Sequence, residues 1–212
     1  MGDYNKRSLP DDGSWEAILK DHLDFDKNFE DEAFPANQTS FFREKDDPPA
    51  GFVKSTKKWD RIWTLCGGKT SPLVRAGATA SDISQGNLGD CYFLSAVANV
   101  ANSAALIARL FPGNQEINKA GIYAVRFWRD GEYRIVVVDD YLPLRADGRL
   151  VMAGSQGNKE FWVPIAEKAW AKLNGSFMAI KGGQQDYAML ALTGILFPSN
   201  ITLKPFPDER GR

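Results

Sequence analysis

The 212-residue chain has one histidine, His22, and only two cysteines, Cys66 and Cys91. So few nitrogen and sulfur ligands, widely spaced, exclude a clustered zinc site. With two cysteines and no cationic-then-apolar leader, a secreted disulfide framework is not expected, and a reducing, cytoplasmic setting is. No apolar run reaches the roughly 18 residues of a spanning helix. Lys6 stands where a myristoylation signal needs Ser or Thr, so no membrane attachment is expected. Excess charge is missing as well: 26 Lys and Arg face 27 Asp and Glu, a net charge of -1. Such a chain has no field to draw nucleic acid or an anionic membrane, and neither is expected as a partner.

What is present is enough apolar material, 43% of the residues, to bury a substantial core without disulfide or metal. Residues 1–57, rich in charge, Pro and Asn with scattered Phe, read as an extended segment that wraps a core. Residues 58–200 read as the core itself and 201–212 as a tail. Trp59, Ile62, Trp63 and Cys66 recur at helical spacing, and Gly67-Gly68 predicts the end of that helix. GGKTS resembles the end of a phosphate loop, but Trp63 occupies the place of the first glycine, so a nucleotide site is rejected. CYFLSAVANVANSAALIARL, residues 91–110, predicts one long buried helix with Asp90 as its N-cap. GIYAVRFW and EYRIVVVDDYLP flank Arg129-Asp130-Gly131 and predict an antiparallel hairpin whose second strand stops at Pro143. PIAEKAWAKL, residues 164–173, predicts a second helix that starts at Pro164 and stops at Asn174-Gly175. Residues 181–194 read as a Gly-rich, then apolar, segment.

Cys91 stands directly before the long predicted helix, where unpaired N–H groups and the macrodipole favour a thiolate over a thiol. Gly86 and Gly89 leave the preceding loop open to close backbone approach. Gln85 supplies an amide that suits a developing oxyanion, with the Cys91 N–H as a second donor. Spacing alone leaves two readings open, an activated nucleophile or one more small buried cysteine. Asp139-Asp140 is a poor acid–base pair, because adjacent strand residues face opposite ways.

QGNLGDCYFL resembles the active-site segment of calpain-type cysteine proteases. FEDEAFPANQTSF, VRFWRDGEYRIVVVDDYLP, EFWVPIAEKAWAKLNGSF and the KGG-to-LTG stretch are similar to further segments of that family in order, over roughly residues 29–195. Tyr92 departs from the usual Trp, and Ala191-Leu192-Thr193-Gly194 from a more acidic version. The resemblance implies an α+β fold, the helical, Cys-bearing half of a papain-like core. It implies calcium-dependent endopeptidase chemistry with Cys91 as nucleophile and Gln85 in the oxyanion hole. It further implies that the backbone of Gly183 pairs with an extended peptide substrate. A calcium site is implied at the carbonyls of Arg75 and Gly77 and the carboxylates of Asp82 and Glu160, a hard-oxygen set that suits Ca²⁺. By spacing alone, Asp82 would cap a turn and Glu160 would be a solvated charge.

A cysteine protease also needs a base, normally a histidine oriented by Asn or Asp. Papain-type chains carry it about 130–150 residues after the cysteine, and residues 92–212 contain no histidine. His22 precedes the nucleophile and reads as a surface residue. The expectation is therefore an inactive half-site that needs a partner subdomain bearing His and Asn. The alternative is a naturally short, non-catalytic calpain-like binding or regulatory protein.

Overall fold

The computed structural model describes residues 7–42, 50–74, 83–113, 115–155 and 160–195. From the amino end its elements are β1 (Leu9–Pro10), α1 (Ser14–Asp24), α2 (Ala50–Ser55), β2 (Lys58–Arg61), α3 (Ile62–Leu65), β3 (Ile83–Ser84), α4 (Cys91–Ala101) and α5 (Ala104–Leu110). Then come β4 (Ile122–Arg129), β5 (Glu132–Asp139), β6 (Tyr141–Leu144), β7 (Gly154–Ser155), α6 (Trp162–Asn174) and α7 (Gln185–Thr193). Helices and antiparallel strands are mixed along the chain, an α+β architecture. The expected site positions Arg75, Gly77 and Asp82 lie outside the described residues, as does the tail.

The hairpin β4–β5 closes through Asp130 and Gly131, at φ 50 and 93, with Arg129 opposite Glu132. Positive φ at both turn positions matches the right-handed twist of the strands. Alternation then sorts the hairpin residues into two clusters. Tyr123, Val125, Phe127, Val136 and Val138 join the main core with α4 and α6. Ile122, Ala124, Ile135 and Val137 instead meet Trp15, Ile18 and Leu19 of α1. Burial on both faces explains why IVVVDD reads as a continuous apolar run rather than an alternating one. β1 adds a third strand at the β5 edge, pairing Leu9 with Ile135.

Four readings change. The segment before residue 58 enters the core as well as running along it: Phe34, Phe41 and Phe52 are buried with Phe177. Lys58–Arg61 is a strand, paired antiparallel with β6, because Arg61 is drawn to Asp140 at 2.6 Å and only Ile62–Leu65 turns helical. Pro143 lies within β6, opposite Trp59, in a two-stranded ladder where its missing N–H is tolerated. The predicted 91–110 helix is two helices, since the Ser103 hydroxyl accepts from Leu106 N at 3.4 Å and starts a new one. Polar side chains that bond the local backbone compete with helix propagation in this way.

Helix α6 is buried along almost its whole length, lysines included. The Lys172 ammonium donates to both carboxylate oxygens of Asp31 and to the Val137 carbonyl, and Lys168 pairs with Asp139. Asp139 also accepts from Asp31 N at 2.8 Å, whereas Asp140 faces Arg61. The adjacent aspartates thus serve separate partners. Among the described residues no helix is long and apolar enough to cross a membrane.

Candidate active site

The loop that delivers Cys91 is held from three sides. β3 pairs with β7, and Asn87 N donates to the Val151 carbonyl at 3.0 Å. At Gly86 a Cβ would lie 2.4 Å from the Met152 carbonyl carbon, so this close approach needs a bare backbone. Gly89, at φ 79, turns the chain and accepts a hydrogen bond from Gly182 N at 3.0 Å. The Asp90 carbonyl then accepts from Phe93 N at 2.9 Å and Leu94 N at 3.2 Å, which opens α4. Cys91 is its first residue and is exposed, so it is not the buried cysteine of the competing reading.

Asp90 occupies the N-cap position, but its side chain makes no capping hydrogen bond. The carboxyl instead turns inward, fully buried, to the Glu167 carboxyl of α6, which is also fully buried. Burial raises the pKa of both, Glu167 well above its ordinary value, and the charge of Asp90 pushes Glu167 further up. Glu167 Oε2 accepts from Ala153 N at 2.7 Å. Sequence reasoning missed this pair. The available signal was a lone acid in PIAEKAWAKL on a helix otherwise dominated by apolar residues.

Gly183 sits against the residue that follows the nucleophile. A Cβ there would lie 2.5 Å from the Tyr92 ring. The Tyr92 hydroxyl accepts from Trp170 Nε1 at 3.1 Å, and the Trp170 ring stacks on Phe93 at 5.3 Å. Burial raises the Tyr92 pKa. Cys91, the Gly182-Gly183 backbone and α6 are thus joined through Tyr92, the position where the family's Trp is replaced. The 181–194 segment is more ordered than its sequence implied, because α7 follows the glycines and packs on α4.

Gln85 and Glu160 line one cavity of about 680 Å³ together with Ser84, Gly86, Met152 and Phe161. Cys91 is not among the residues of that lining. Glu160 is 6% exposed and its Oε2 accepts from Trp162 Nε1 at 3.1 Å, so it is not a solvated charge. Of the four calcium positions only Glu160 is described. The β3–β7 pairing brings the strand that follows Asp82 alongside the strand that precedes Glu160. Among the described residues no group of three or more His, Cys, Asp or Glu side chains converges as a metal site.

His22 is far from this chemistry in the architecture. It lies on α1, which packs on the hairpin face opposite the α4 side. The ring is half-buried, edge-on to Phe29 at 5.4 Å, with Nδ1 2.9 Å from the Ile18 carbonyl. It is therefore a packed residue more than a surface one.

A cysteine at a helix end, with a glycine loop and an aromatic beside it, is an arrangement that suits a reactive thiol, and the calpain family cysteine protease domain matches residues 29–205. The chain belongs to the calpain family of cysteine proteases. It is 39% identical over 183 residues to human Calpain-9, covering 85% of this chain and 25% of that one. It is 36% identical over 196 residues to the human Calpain-2 catalytic subunit, covering 92% and 27%. With the Calpain-type cysteine protease DEK1 of Arabidopsis thaliana it shares 40% identity over 173 residues, 80% of this chain and 8% of the relative. The chain thus spans about a quarter or less of the length of these relatives.

Proposed function

We propose that this chain is the nucleophile-bearing half of a papain-like core in a calcium-dependent cysteine endopeptidase. The observation that carries the reading is the exposed Cys91 at the first position of α4, next to a Gly89–Gly182 backbone bond. In the reaction the Cys91 thiolate attacks the scissile carbonyl carbon of an extended peptide. The Cys91 N–H and the Gln85 amide hold the oxyanion, and the Gly183 backbone pairs with the substrate main chain. The C–N bond breaks, the amine leaves with a proton, and water cleaves the resulting thioester.

That proton needs a base on a facing subdomain with His and Asn, since residues 92–212 contain no histidine and His22 packs behind the sheet. The carbonyls of Arg75 and Gly77 and the carboxylates of Asp82 and Glu160 would hold Ca²⁺. The buried Glu160 carboxylate on a cavity wall and the neighbouring strand pairing support this set. A bound ion would supply a charge that ties the two loops together and biases the shape of the cleft. Neither Cys66 nor Cys91 is in a disulfide, which suits a cytoplasmic setting.

The test is reconstitution. The 212-residue chain alone, with calcium, is expected to leave casein intact. Joined to a subdomain bearing His and Asn, it is expected to gain calcium-dependent hydrolysis that Cys91→Ala abolishes. Turnover by the chain alone that is lost in Cys91→Ala would refute the missing base, and no turnover after joining would favour a binding protein. Calcium titration should lose its heat in Asp82→Ala/Glu160→Ala, and retention of that heat would displace the site.

A further inference from the structure

The Asp90 and Glu167 carboxyls face each other in the interior, directly behind the nucleophile. Neither is exposed at all. Both Asp90 oxygens and Glu167 Oε1 have no hydrogen-bond donor, although the two groups are within hydrogen-bonding reach of each other. Two carboxylates are acceptors only, so as an ionised pair they would be buried like charges with no donor between them. One proton between them resolves the conflict. It turns one acid into a donor, pairs an oxygen of each residue, and leaves Glu167 Oε2 to the Ala153 N–H.

We propose that Asp90 and Glu167 share one proton and together act as a positioning pair that seats the amino end of α4, so that the reactivity of Cys91 follows the charge of the pair. The peptide bond from Asp90 leads directly to Cys91, and α6 carries Glu167. Loss of the shared proton would therefore both break the tie between the helices and place a second negative charge behind the thiol. Among the described residues few other ionisable groups face the pair. Tyr92 feels the charge of Asp90 from α4, Tyr187 of α7 faces Tyr92, and the Lys181 stem runs beside Gly89. Lys168, next to Glu167 in sequence, is committed to Asp139. The coupling rests on Cys91 being the nucleophile, whereas the shared proton does not.

Two measurements on the intact chain separate these parts. Infrared difference spectra at neutral pH should contain the carbonyl stretch of a buried protonated carboxyl, sensitive to deuteration and absent from Glu167→Gln. Iodoacetamide alkylation of Cys91, followed by peptide mapping with Cys66 as internal reference, should give a rate–pH profile with two inflections. Across the inflection that belongs to the pair the rate should change roughly threefold to tenfold. Glu167→Gln places an amide donor where the shared proton was and has no such proton to lose, so its profile should keep only the thiol inflection. Absence of the carboxyl band in the wild-type protein would overturn the shared proton, and identical profiles in wild type and Glu167→Gln would overturn the coupling. If Glu167→Gln did not fold, the wild-type band and its two-inflection profile would still decide. A profile that carries the pair's inflection while Cys91 never outpaces Cys66 would support the pair and sink the nucleophile reading.

Discussion

Gly183 shows how much a missing side chain can matter. A methyl group at that position would sit 2.5 Å from the Tyr92 ring, so Gly183→Ala must displace either the backbone or the ring. Overpacking of this kind costs about 1–3 kcal/mol, and a urea titration of Gly183→Ala should show a loss in that range. Because Tyr92 adjoins Cys91 and accepts from Trp170, the displacement should also alter Cys91 alkylation. Nothing in KGG indicated an aromatic beneath it. The loop was legible as open backbone, but its neighbour, from a distant helix, was not.

Helices and strands depend on contacts of both ranges. The β4–β5 turn is local, and its two positive φ angles follow from Asp-Gly chemistry. Gly131→Ala, forced to stay at φ 93, should destabilise the fold by about 1–2 kcal/mol in thermal unfolding. Helix α6 depends on distant groups instead. Its Lys172 holds Asp31, and burial lowers the lysine pKa while raising that of the aspartate. Lys172→Met would leave the Asp31 carboxylate buried without its cation, and chemical denaturation should report a loss of about 3–5 kcal/mol. The same helix explains why its charges were hard to read: Glu167, Lys168 and Lys172 are each buried, against Asp90, Asp139 and Asp31 from distant parts of the chain.

At the scale of the whole molecule, the carboxyl pair beneath α4 ties stability to pH. Glu167 has a folded pKa well above its ordinary 4.5, chiefly through burial. Between those two values the folded state keeps a proton that the unfolded chain has released, so stability falls as pH rises. The slope is about 1.4 kcal/mol per pH unit for one proton, and the loss is complete above the folded pKa. Glu167→Gln should be flatter over this window and gain on the wild-type protein as pH rises, as measured by urea midpoints from pH 5 to 8. A wild-type curve that rises with pH relative to Glu167→Gln would reverse the sign.

The amino-acid sequence by itself determined the family, the β4–β5 hairpin, the α6 boundaries near Gly175 and the order of motifs around Cys91. These rest on local chemistry: glycine at positive φ, turn residues, apolar periodicity and a contiguous motif. Tertiary structure decided the rest. Strand β2 exists because β6 pairs with it, α7 orders against α4, and His22 lies behind the sheet because α1 packs there. Asp90 looked like a helix cap and became half of a buried pair, since the choice between a nearby N–H and a carboxyl on α6 depends on packing that no local pattern records.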